Sequence, residues 1–233
     1  MDKVIDEKLQ KVKNVDEELT AKAAPVDRST VESFKLLRTN ILYTENTHVI
    51  VVTSTIRDEG KTVTAFQLAR SFSSMGKNTL LIDCDLRRPS LKKYMLIRGH
   101  TVGLSESLSG QSKDVVYRTN VENLSVILSG KVPPNPSELL SGEKFGLLIS
   151  KMRERFDYII IDTPPVSSCP DASIVGRIGD GVLLVVRNDF VKQSAVKRAK
   201  DQIDRNGGHV LGVVLNRIKK YQKDYYGEYG YYE

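Results

Sequence analysis

The run Val49-Ile50-Val51-Val52-Thr53, with Gly60-Lys61-Thr62 shortly after it, constrains this chain more than any other feature. A nearly continuous β-branched segment without charge suits a strand buried on both faces, as in a parallel sheet. The glycine-containing triplet places a tight turn and a helix start at the carboxyl end of that strand. There the first N–H groups of the helix have no partner within it. The pattern then repeats. Further apolar strands are read at 79–82, 124–128, 158–161, 181–186 and 210–215. Helices are read from Lys61 to about Ser74, near 104–108, over 137–155 with divisions at Gly142 or Gly146, and over 191–203. Strands alternating with helices predict an α/β fold, a mostly parallel sheet flanked by helices on both faces.

The two ends differ from this middle. Residues 1–28 read as an extension, charged at its front, with a linker at 21–25. A helix follows to about Tyr43, capped by Ser29 or Thr30, with Glu32 placed to complete a capping box with Ser29. Residues 29–220 form the expected domain. The last 13 residues, 221–233, read YQKDYYGEYGYYE and hold six of the ten tyrosines: Tyr221, Tyr225, Tyr226, Tyr229, Tyr231 and Tyr232. With two glycines and no aliphatic residue, this stretch has little to build a core from, and a mobile tail is expected.

Composition narrows the function classes. No segment reaches about 18 apolar residues, and the first 20 residues carry no apolar signal core, so a cytoplasmic protein is expected. Cys84 and Cys169 have no ligand-type spacing and read as free thiols. The formal net charge of +6 attracts anionic partners, but zinc-finger spacing and an RNA-binding sheet signature are both missing, so nucleic acid is a poor fit.

Thr55-Ile56-Arg57-Asp58-Glu59-Gly60-Lys61-Thr62 departs from the GxxxxGK[ST] phosphate loop only at its first glycine, replaced by Thr55. Gly60 lets the backbone approach a phosphate, the Lys61 ammonium reaches the terminal phosphates, and the Thr62 hydroxyl suits magnesium. Residues Arg57, Asp58, Glu59, Gly60, Lys61, Thr62 and Val63 are therefore the expected nucleotide cradle. Two other strands end in acid: Leu80-Leu81-Ile82-Asp83-Cys84-Asp85 and Tyr158-Ile159-Ile160-Ile161-Asp162. In a parallel sheet these ends gather on one side, which brings Asp83, Asp85 and Asp162 toward Lys61. Buried carboxylates need partners, and Mg2+ with its waters would supply one. ATP with magnesium points to phosphoryl transfer. Water as acceptor gives an ATPase acting as a nucleotide switch; a hydroxyl gives a kinase. The tyrosine-rich segment, with Asp224, Glu228 and Glu233 nearby, offers candidate acceptors.

The chain after residue 28 resembles the bacterial tyrosine kinases of capsule and exopolysaccharide synthesis. It is most similar to the Gram-positive cytoplasmic kinase subunit that is separate from its membrane adaptor. The likeness rests on ESFKLLRTN at 32–40, TSTIRDEGKT at 53–62, LLIDCDLRRP at 80–89, GKVPPNPSELL at 130–140, IIIDTPP at 159–165, and the tail. The PPNPSELL block and the tail separate this family from the partitioning and septum-positioning ATPases (ParA and MinD), which share its deviant phosphate loop and fold. The resemblance implies that Lys61, Asp83, Asp85 and Asp162 are catalytic, that Thr62 and the three aspartates hold magnesium, and that the six tail tyrosines accept phosphate. Which aspartate is the base is left open. It also places Asn216 at the adenine edge. Glu32, Lys35 and Arg38 match a helix motif that packs subunits into a ring-shaped homo-oligomer, each tail reaching its neighbour's site. A membrane adaptor of the chain-length-determinant type, recruiting the protein to the membrane, and a cognate phosphotyrosine phosphatase are the implied partners. Two departures stand out. Arg57-Asp58 replaces a Pro-Gly pair, and Lys35 replaces an arginine in the helix motif.

Overall fold

The computed structural model describes residues 20–21, 27–96 and 101–218. Its elements in chain order are β1 (Thr20–Ala21), α1 (Arg28–Leu42), β2 (Val49–Ser54), α2 (Lys61–Ser73), β3 (Thr79–Asp83), a 3-10 turn (Leu91–Tyr94) and β4 (Met95–Leu96). They continue with α3 (Leu104–Leu108), β5 (Tyr117–Arg118), β6 (Leu124–Ile127), α4 (Pro136–Ser141), α5 (Glu143–Arg153) and β7 (Tyr158–Asp162). The chain then forms α6 (Asp171–Gly176), β8 (Gly181–Arg187), α7 (Gln193–Arg205) and β9 (Val210–Asn216).

Seven strands form one sheet in the order β5-β6-β3-β7-β2-β8-β9, parallel except for β5, which pairs antiparallel with β6. Side chains alternate across each strand, so one run feeds two cores. Val49 and Val51 face one core with Leu80, Ile82, Ile161 and Leu184, under α3 to α7. Ile50 and Val52 face the other with Leu81, Ile160 and Leu183, under Ala65, Phe66, Leu68 and Phe72 of α2. Burial on both faces explains why these strands lack the polar alternation of a half-exposed sheet.

Each central strand continues to the residue that ends its apolar run. Asp83 stands opposite Asp162 in the β3–β7 register, and Val52 stands opposite Asp162 in the β2–β7 register. Backbone pairing ignores side-chain polarity, so the acidic residues are the last rungs of the ladder and are carried to one edge of the sheet.

Several details differ from the sequence reading. Asp27, not Ser29 or Thr30, caps α1; its carboxylate accepts from the Thr30 amide and hydroxyl, both at 2.9 Å. Glu32 accordingly forms no box with Ser29 and pairs with Lys35. Gly142 divides the 137–155 stretch, whereas Gly146 stays inside α5, where a Cβ would meet nothing within 4 Å. The two-residue strands β5, β1 and β4 and the short helix α6 were not read; two residues carry no alternation, and α6 has no apolar run or cap signal to mark it. Cys84 and Cys169 are free thiols, as read. Among the described residues no helix is long and apolar enough to cross a membrane.

Candidate active site

The phosphate loop connects β2 to α2 at the centre of the sheet. Two of its residues adopt left-handed backbone, Asp58 with φ 62° and Gly60 with φ 96°. Gly60 is irreplaceable on two grounds. Its φ suits glycine, and a Cβ there would lie 2.2 Å from the Asn216 amide nitrogen. Asp58 takes a conformation that aspartate tolerates better than most residues.

Glu59 is fully buried and works inward rather than toward a ligand. Its carboxylate accepts from the Ile56 amide at 2.7 Å and from the Arg187 amide at 3.2 Å, tying the loop to β8. Asn216 donates to the Glu59 carbonyl at 2.8 Å, and its own carbonyl accepts from the Arg217 amide at 2.8 Å. Sequence reading gave Asn216 to an adenine edge; here its amide nitrogen braces the loop from β9, while its oxygen turns back to the neighbouring Arg217 amide.

Lys61 opens α2 and is almost covered, at 12% exposure of its side chain. Its ammonium lies 3.1 Å from Asp85 and 3.5 Å from Asp162. Burial alone would lower its pKa, but the Asp162 and Asp85 charges outweigh burial and hold it above the ordinary lysine value. It is a fixed cation at the mouth of the helix. Thr62 is buried beside it, with its hydroxyl 2.8 Å from the Ser90 hydroxyl. Val63 is exposed at the cavity wall.

The three aspartates do converge, but they are not equivalent. Asp83 is fully buried and accepts from the Asp85 amide at 3.1 Å and the Leu91 amide at 3.4 Å, so both its oxygens organise the loop that follows β3. Burial first, and then the Asp162 charge, push its carboxyl up to about 8. Burial raises Asp162 as well, against the opposing pull of Lys61. Asp85 lines the cavity. The second oxygen of Asp162 is buried with no hydrogen-bond partner among the described residues.

That orphaned oxygen bears on magnesium. Among the described residues no three His, Cys, Asp or Glu side chains are gathered into a metal cage. Mg2+ rarely needs one; it is usually held by one or two carboxylates, waters and substrate phosphates. An unpartnered Asp162 oxygen, the cavity-facing Asp85 and the Thr62 hydroxyl are hard oxygen donors of that sort, and the residues present fit the ion. Asp83 is spent on its own loop and fits less well than the sequence suggested.

The cavity above these groups has a volume of about 480 Å³ and is also lined by Arg57, Arg87, Arg88, Ser90, Lys93 and Arg217. Arg87 is fixed in an unforeseen way. Its Nε donates to Asp171 at 2.8 Å, and its Nη2 donates to Asp171 at 3.3 Å and to the Ser137 hydroxyl at 2.8 Å. Ser137 in turn donates to Asp171 at 2.5 Å. Burial would raise the Asp171 carboxyl, but Arg87 and Ser137 hold it below the usual carboxylate range. Ser90, Ser137 and Asp171 were not singled out from sequence. Ser137 lies in the PPNPSELL block, which was the one available signal.

The α1 motif lies away from the cavity. Glu32 and Lys35 pair at 2.9 Å on an exposed face. Arg38 donates to the Ser71 carbonyl of α2, so its guanidinium holds two helices of the same chain together. The six tail tyrosines lie outside the described residues.

The comparisons with known proteins agree with this geometry. The ParA family model, described as the NUBPL iron-transfer P-loop NTPase, matches residues 45–224. The tyrosine-protein kinase CpsD of Streptococcus agalactiae is 38% identical over 208 residues, covering 88% of this chain and 90% of that protein. The chimerical protein CapA2B2 superposes with a TM-score of 0.79 at 30% identity, covering 94% of this chain and 100% of that one. The kinase domain of the Escherichia coli tyrosine kinase ETK superposes with a TM-score of 0.77 at 32% identity, over 82% of this chain and 77% of that one.

Proposed function

The chain belongs to the bacterial tyrosine kinases that include CpsD, within the ParA-type P-loop NTPases, and on that premise we propose that it transfers the γ-phosphoryl group of ATP to tyrosines of its own C-terminal segment. The observation that carries this reading is the position of Lys61. It stands at the head of α2, clasped by Asp85 and Asp162, beside a carboxylate oxygen that lacks a partner.

In this reading the loop from Arg57 to Val63 surrounds the phosphates, and the free N–H groups of α2 face them. Lys61 leaves its carboxylates and donates to the terminal phosphate oxygens. Asp162 and Thr62 would hold Mg2+, with Asp85 beside them. Bound there, the ion would offset charge on the phosphates during transfer. A tyrosine phenol has an ordinary pKa of about 10, so it needs a carboxylate to take its proton as the new bond forms. Asp85 faces the cavity and serves that role better than Asp83, which is committed to its own backbone. The proton passes to Asp85, the phenolate oxygen bonds phosphorus, and ADP departs.

Tyr221, Tyr225, Tyr226, Tyr229, Tyr231 and Tyr232 are the proposed acceptors, presented to a neighbouring subunit in a ring whose contacts include Glu32 and Lys35. We assign capsule or exopolysaccharide synthesis as the process. A chain-length-determinant adaptor would bring this cytoplasmic chain to the membrane, and a phosphotyrosine phosphatase would reset it. The three-part division at residues 28 and 220 belongs to the same proposal.

Mass spectrometry after incubation with ATP and Mg2+ tests this directly, with and without the adaptor's cytoplasmic segment and beside Lys61→Met. Phosphate on residues 221–232 that the Lys61→Met chain lacks is the expected result. Lys61-dependent hydrolysis without phosphotyrosine would make the chain a nucleotide-switch ATPase instead.

A further inference from the structure

We propose that Asp171 and Ser137 are positioning residues: they hold Arg87 on the acceptor side of the cavity, where the arginine binds the acidic segment that carries the reacting tyrosine. The proposal rests on the kinase reading above and names how that site selects its acceptor.

Three elements meet at this point. Arg87 lies on the loop after β3, two residues beyond Asp85. Ser137 is in the first turn of α4, and Asp171 begins α6. Asp171 is fully buried, and a buried carboxylate without a partner is costly. It takes the Nε and Nη2 edge of Arg87 in the bidentate fork that only a guanidinium can supply. Ser137 bonds both of them and closes the triangle. The side chain of Arg87 nevertheless remains 41% exposed at the cavity wall. The Cys169 thiol also lies against the guanidinium. The clamp therefore holds a partly exposed guanidinium at the wall and removes the freedom of a long side chain to swing away.

Arg87 comes from the loop after β3 and not from the phosphate loop. The cavity is lined by the phosphate loop together with Arg87, Pro164, Pro165 and Ser168. Arg87 makes no hydrogen bond to loop residues 57–63. An acceptor in line with the terminal phosphate arrives from the side away from the loop. The remaining lining is basic, with only Asp58 and Asp85 as carboxylates, which favours an acidic incoming segment. Residues 221–233 carry Asp224, Glu228 and Glu233 among the tyrosines.

The test uses full-length Lys61→Met chain as acceptor at varied concentration, with wild type, Ser137→Ala, Asp171→Asn and Arg87→Lys as donors. Each variant should raise KM for the acceptor about three- to tenfold, the size of one charge-assisted hydrogen bond lost at a half-exposed site. Affinity for ATP with Mg2+ should stay within about twofold of wild type, the margin expected for near-neutral changes. Ser137→Ala is decisive if Asp171→Asn does not fold. A fall in turnover with KM unchanged, or no change in folded variants, overturns the proposal. If wild type itself makes no phosphotyrosine, the kinase reading has failed. The clamp is then judged by fluorescence anisotropy of a labelled 221–233 peptide on the full-length chain. Weaker binding to the variants supports it, and equal binding overturns it.

Discussion

Asp58 shows how much one residue of the phosphate loop can be asked to do. It holds φ at 62°, a conformation that favours glycine, and it sets a carboxylate on the wall of the cavity beside Lys61. Asp58→Gly should therefore bind ATP with Mg2+ about three- to tenfold more tightly, since one like charge at a partly exposed rim is worth roughly 1 kcal/mol. Calorimetric titration would read this, and an unchanged affinity would mean that the carboxylate points away from the phosphates. At this scale the sequence was a good guide to chemistry and a poor one to partners. Lys61, Thr62, Asp85 and Asp162 meet as the motif spacing required. Glu59 and Asn216 were read as ligand-facing, and their bracing of the loop was not read, because a hydrogen bond between residues 157 positions apart leaves no local trace. Asn216→Ala removes one such bond. It should lower stability by only about 0.5–1.5 kcal/mol while weakening nucleotide affinity, since the loop would lose its brace. A variant that lost stability but bound nucleotide normally would show that the brace serves the fold alone.

Between elements, the helices are held by contacts that motif reading had assigned elsewhere. Arg38 was expected at a subunit interface, and within the chain its guanidinium also joins α1 to α2. Arg38→Ala should destabilise even a dilute monomer, by about 1–3 kcal/mol, because a buried carbonyl loses a charged donor. Thermal unfolding at concentrations below assembly checks this; an unchanged transition would return Arg38 to the interface. Lys35→Glu, on the exposed face, should change assembly and leave the monomer's unfolding nearly unaltered. At the opposite edge of the sheet, Asp180 accepts from the His48 and Val49 amides at 2.8 and 2.7 Å and pairs with Arg153 at 2.7 Å. Burial would raise this carboxyl, but Arg153 and the two amides hold it below the ordinary range. Its folded pKa is thus lower than its unfolded one. The stability it contributes is present above the unfolded value and is lost as pH falls through the folded one. Asp180→Asn should flatten the acid limb of the stability curve and leave neutral-pH differences constant above about pH 5, past the unfolded carboxylate range. An acid limb as steep as in wild type would contradict this assignment. The long strands were readable because burial on both faces makes them uniformly apolar. The clamp from α4 and α6 to Arg87 was not, since α6 has six residues and its aspartate looks like any helix start.

Across the whole molecule, the parallel sheet converts six strands of similar composition into a single functional edge. The strand order brings the ends of β2, β3 and β7 side by side at the centre, and the register places Asp83, Asp162 and the phosphate loop within one layer. Alternation of strands and helices made that architecture legible, while the antiparallel edge strand β5 and the β1–β4 pair were too short to announce themselves. The proposed activity depends on joining this edge to residues 221–233. That junction is tested most directly by mixing two chains that are each incapable alone: Lys61→Met, which keeps the tyrosines, and a chain ending at Ile218, which keeps the site. After addition of ATP and Mg2+, phosphotyrosine should appear on the Lys61→Met chain in the mixture and in neither chain separately. A mixture that hydrolyses ATP yet carries no phosphotyrosine, while wild type alone becomes phosphorylated, would contradict transfer between subunits.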